Sequence, residues 1–82
     1  MEMYEAVEVL LDHGNTPKDI AESLRITPGM VSHHKKKENM PSLKTAALVW
    51  GIYGMQVEPY TDKALMIKYR ELTDDDTTTT SE

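Results

Sequence analysis

Cysteine is absent from the 82 residues, which excludes disulfides, thiolate nucleophiles and zinc sites of the cysteine type. No apolar run approaches the ~20 residues that a membrane span needs. No alternating apolar and polar run and no hairpin dipeptide occurs, so strands are not expected. The opening MEMYEAVEV is acidic, where a secretory signal would be basic and then apolar. These absences imply a soluble, cytoplasmic protein with no membrane partner. Apolar residues make up 39% of the chain, and a chain this short buries only roughly 60–65% of its unfolded surface. One small domain fits that balance; a large enclosed cleft does not.

The net charge of −5 argues against a nucleic-acid partner until it is divided along the chain. Residues 1–15 carry Glu2, Glu5, Glu8 and Asp12 with no Lys or Arg. Residues 16–45 carry Lys18, Arg25, Lys35, Lys36, Lys37 and Lys44 against only Asp19, Glu22 and Glu38. Residues 46–72 balance, and residues 73–82 are acidic again. Positive charge is therefore gathered in one central stretch, and its distribution says more than the sum. The segment TDDDTTTTSE at 73–82 has no apolar side chain to offset its ordering entropy, so it reads as a disordered acidic tail.

Helix signals fill residues 1–72. Tyr4, Val7, Leu10 and Leu11 make an amphipathic helix over 3–12, with Gly14 as its stop. Thr16-Pro17 is an N-cap followed by proline at the first helical position. It opens a helix over 17–24 that points Ile20, Ala21 and Leu24 to one side. Thr27-Pro28 repeats the signal and opens a helix over roughly 28–37. Pro41 breaks the chain, and Ser42 caps a fourth helix carrying Leu43, Ala46, Ala47, Trp50 and Tyr53. Gly54 ends it; Val57 packs inward from a linker; Thr61 or Asp62 caps a fifth helix with Leu65, Met66, Tyr69 and Leu72. The expected fold is all-α, with five helices.

Helices at 17–24 and 28–37 joined so tightly must cross steeply, as in a helix-turn-helix. Ala21 allows close crossing, Ile20 and Leu24 face the core, Ile26 plugs the turn and Val31 anchors the second helix. The stretch IAESLRITPGMVSHHKKKENMPSLKTA resembles the DNA-binding helix-turn-helix of phage Cro-like repressors and the xenobiotic-response-element family. The likeness is carried by Ile20, Ala21, Leu24, Ile26, Thr27, Pro28, Val31, Ser32 and Pro41-Ser42-Leu43, and it covers about residues 16–58. Two departures stand out. Arg25 occupies the turn position that usually holds glycine, and His34 occupies a usually apolar one.

The resemblance implies a five-helix Cro- or repressor-like domain over residues 1–72, with its helix-turn-helix core at 17–37. The second helix would enter the major groove, which distinguishes all four base pairs. Base contacts would come from Thr27, Pro28, Gly29, Ser32, His33 and Lys36. Phosphate contacts would come from Lys18, Lys35, Lys37, Asn39, Ser42 and Lys44, and would make affinity fall with salt. A homodimer would read two half-sites about one DNA turn apart, with Leu65, Met66, Tyr69 and Leu72 either completing the core or forming its interface.

Other readings are weaker. His33-His34 is no metal pair, because adjacent helical residues point about 100° apart, and no cofactor is implied. Gly51-Ile52-Tyr53-Gly54 has the look of an RNA-clamping loop, but without strands around it helix crossing and termination is the better account. The HHKKK run taken alone suits a solvated helix end. No Ser/His/Asp grouping or phosphate-cradling glycine loop suggests an enzyme. The leading expectation is a sequence-specific regulator of transcription on a double-stranded DNA operator, a repressor of phage type. The alternative is a protein-interaction module, an antirepressor or adaptor, with a protein partner such as polymerase.

Overall fold

The computed structural model describes residues 1–36 and 39–81, with side chains as far as residue 74. Among these the chain forms five α-helices, one π-helical stretch and no strand.

Helix α1 (Met3–Asp12) starts in a reciprocal cap in which the Glu2 amide donates to the Glu5 carboxylate at 2.9 Å. Met3, Ala6, Val7 and Leu10 are its buried stripe, spaced i, i+3, i+4 and i+7. The sequence pattern pointed instead to Tyr4 and Leu11, which lie half-buried on the flank. The four buried positions cluster within a narrower arc than a set containing Tyr4 and Leu11, so they face the core more squarely. Beyond Asp12 the Asn15 amide donates to the Leu10 carbonyl at 2.9 Å, and Gly14 takes φ +95°. Both satisfy the need of a helix end for new carbonyl partners and a left-handed residue.

Helix α2 (Pro17–Leu24) is capped by Thr16, whose hydroxyl accepts from the Asp19 amide at 3.1 Å while the Asp19 carboxylate accepts from the Thr16 amide. Its end is closed by two backbone bonds, Ile26 to the Ala21 carbonyl at 2.9 Å and Arg25 to the Glu22 carbonyl at 3.3 Å. That Schellman closure demands a left-handed residue, and Arg25 supplies it at φ 59°, ψ 40°. A side chain in that region costs on the order of 1–2 kcal/mol. Ile26 then packs against the core, the apolar contact that usually accompanies this closure.

Helix α3 (Pro28–His34) is capped by Thr27, which accepts from the Met30 amide at 3.2 Å. It ends at His34, three residues short of the expected end. The Asn39 side-chain amide donates to the His33 carbonyl, so a side chain takes over where the helix stops.

Helix α4 (Leu43–Leu48) leads directly into the π-helical stretch Val49–Tyr53, and Gly54 ends it at φ +74°. Thr45 through Val49 are buried in succession, as suits a helix enclosed on several sides. Leu43, Trp50 and Tyr53 are only partly buried. Helix α5 (Asp62–Ser81) packs mainly on α4 and the π stretch. Thr61 caps it by accepting from the Ala64 amide at 3.2 Å. Gly51 lies under the Tyr69 ring, which would stand within 3.0 Å of any Cβ placed there. Trp50 and Tyr69 meet edge to face at 6.1 Å. Gly51 and Gly54 thus serve helix crossing and termination.

The α5 backbone is helical through Ser81. Once a helix is nucleated on the core, each further residue adds a bond, and the Thr73 hydroxyl also bonds back to the Tyr69 and Arg70 carbonyls. Of the proposed dimer residues, Leu65 is fully buried within the chain and Tyr69 is held over Gly51. Leu65 thus completes the core, while Met66, Tyr69 and Leu72 are each partly buried.

The linker between the π stretch and α5 is tied on three sides. Val57 is fully buried. The Glu58 amide donates to the Met1 carbonyl at 2.8 Å, and the Tyr60 hydroxyl donates to the Pro41 carbonyl at 2.9 Å.

Candidate nucleic-acid interface

Helix α3 is held to the body by Val31 and His34, both buried. At 100° per residue those two side chains point one way, and the others fan around the opposite side. Thr27, Pro28, Gly29, Ser32, His33 and Lys36 are all exposed. All six residues expected to read bases therefore lie on one uncovered flank or at its entrance. Thr27 is already committed through its hydroxyl to capping.

Lys18 stands in the first turn of α2, Lys35 follows α3 and Lys44 stands in the first turn of α4; all three are exposed. Asn39 is partly engaged, since its amide closes α3. The Ser42 hydroxyl accepts from the Thr45 amide and donates to the Thr45 hydroxyl, so the expected phosphate contact there falls to the backbone amides of the helix start. Lys37 lies outside the described residues. The connection that carries these groups is fixed to the rest of the chain through the Tyr60–Pro41 bond.

Electrostatics favour the same flank. Arg25, on the turn between α2 and α3, is exposed and adds a charge next to the α3 entrance. On α1, which packs against α3, the exposed Glu5, Glu8 and Asp12 lie opposite the buried stripe and so point away from the core. Among the described residues no cluster of three or more His, Asp or Glu side chains is arranged to hold a metal ion. An open groove of about 310 Å³ lies elsewhere, lined by Val9, Leu10, His13, Asn15, Tyr53 and Met55. No described helix is long and apolar enough to cross a membrane.

His34 is the buried polar residue of α3. It is 3% exposed, and its Nδ1 has no hydrogen-bond partner among the described residues. Burial pushes its imidazole below the ordinary value, and the like charge of His33 adds to the effect. The two rings meet edge to face at 5.9 Å.

Two residues belong with this flank although the sequence reading did not place them there. Met30 is 41% exposed in the first turn of α3. Its position next to Val31, 100° from the core direction, was the available signal. Arg25 was read as a turn residue and as part of the positive central stretch, and its exposure puts that charge on the turn that leads into α3. Comparison of the chain with protein-family models, curated proteins and solved structures returns no match.

Proposed function

We propose that the protein is a sequence-specific double-stranded DNA-binding regulator of transcription, a repressor of phage type that lays α3 in the major groove. The observation that carries this reading is the uncovered flank of α3. A seven-residue helix spends two side chains on the core and turns Ser32 and His33 outward, with Lys36 exposed just beyond its end; Lys18, Arg25, Lys35 and Lys44 are exposed as well. The succession of α2, a left-handed corner at Arg25 and α3 supports reading the pair as a helix-turn-helix, in which the second helix reads base edges. Serine, histidine and lysine can all hydrogen-bond to those edges, and lysine suits guanine O6 and N7. The reading includes a homodimer spanning two half-sites; on α5 the side open to a partner carries Ile67, 48% exposed.

Selection of duplexes from a random pool, followed by titration over a salt series, tests the reading. A discrete complex that weakens steeply with salt is expected. Ser32→Ala should then change the preferred sequence. A protein that selects no duplex at any ionic strength refutes the regulator reading and leaves the adaptor reading, which the exposed acidic side of α1 favours.

A further inference from the structure

Gly29 is the one glycine that the fold does not explain. Gly14 and Gly54 adopt positive φ, and Gly51 lies beneath Tyr69. At Gly29 an added Cβ would meet only the Thr27 hydroxyl oxygen at 3.7 Å, an ordinary contact. Alanine would fit there and would favour the helix. The missing side chain thus clears space outside the chain, on the exposed flank of α3.

Its neighbours define what can use that space. Pro28, Gly29 and Met30 are consecutive and exposed, and none has a side chain able to make the paired hydrogen bonds that identify guanine or adenine. In the major groove the one base feature recognised by apolar contact is the C5-methyl group of thymine. Polar and cationic side chains begin a turn later, with Ser32, His33, Lys35 and Lys36. That positive border suits a duplex rather than an apolar protein surface.

We propose that α3 selects thymine through its C5-methyl group, with Met30 as the reading side chain and Gly29 as the clearance that lets the base approach. This rests on the DNA-binding reading above. The Met30 thioether is unbranched and polarizable, so it can settle against a methyl group. Removing one buried methyl should weaken binding about fourfold, which is ~0.8 kcal/mol.

The test uses the full chain and a duplex chosen from a random pool. Each thymine is replaced in turn by deoxyuridine, which lacks only the methyl group, and binding is followed by fluorescence anisotropy. At one or two positions the wild type should bind about fourfold more weakly, and Met30→Ala should bind thymine and uracil duplexes alike. Gly29→Ala should weaken duplex binding while circular dichroism shows the helices intact. Indifference of the wild type to every deoxyuridine overturns the proposal, as does a uracil penalty that persists in Met30→Ala. If no duplex is selected at all, the DNA-binding reading and this proposal fall together; a bound duplex indifferent to methyl groups sinks the proposal alone.

Discussion

Replacing Gly51 by alanine tests how α5 is seated. The added methyl would press into three ring carbons of Tyr69, all inside the 3.0 Å limit of real contacts. Either the ring swings away or the helices part. Swinging gives up the edge-to-face contact with Trp50, worth ~0.5–1.5 kcal/mol, and overpacking of this kind costs about 1–3 kcal/mol in total. Alanine recovers ~1 kcal/mol of helix propensity relative to glycine, so a net loss of up to about 2 kcal/mol is expected. In a Tyr69→Ala background the obstacle is gone and the same substitution should stabilise by up to ~1 kcal/mol. Urea unfolding followed by far-ultraviolet circular dichroism and by Trp50 fluorescence measures both. Equal effects of Gly51→Ala in the two backgrounds, or stabilisation in the wild type, would refute the close seating of α5.

Three other outcomes follow from the same geometry. His34 binds its proton less readily folded than unfolded, so its contribution to stability is complete above pH ~6.5 and is lost as pH falls below it; His34→Leu should flatten that part of the stability profile and stabilise by about 1 kcal/mol at pH 7 by removing an unpaired polar atom, and an unaltered profile would show that other groups cause the acid loss. Arg25→Gly relieves left-handed strain of ~1–2 kcal/mol while loosening the unfolded chain by ~0.4–1 kcal/mol, so thermal unfolding should show a gain of up to ~1 kcal/mol, and a clear loss would contradict the strained corner. Lys44→Ala should weaken binding to all duplexes about equally and lower the salt slope by roughly 0.9, whereas a change in preferred sequence would place Lys44 at base edges.

The helix starts were legible because their signals are local. Thr16-Pro17, Thr27-Pro28, Ser42 and Thr61 each place a hydroxyl where a free backbone amide waits, and all four accept the expected bond. The exposed flank of α3 was legible for the same reason, since one anchor at Val31 fixes the direction of every neighbour. Tertiary choices were less visible. Tyr4 and Leu11 are as apolar as Met3 and Ala6, and only the packed partners decide which stripe is buried. Leu65 and Tyr69 looked equally suited to a core or a dimer surface; Leu65 is fully buried, and Tyr69 is placed over Gly51, eighteen residues earlier in the chain.

The helix-free linker has an unusual place in the architecture. It donates a backbone bond to the opening residue, holds the carbonyl that precedes α4 through the Tyr60 phenol, and sinks Val57 into the interior. A stretch without regular structure would ordinarily be where a protease first enters. Here it is the knot at which distant parts of the molecule are laced together. Severing it would release α5 and at the same time slacken the exit of α3, so loosening of the last helix and of the third are expected to arrive as a single event.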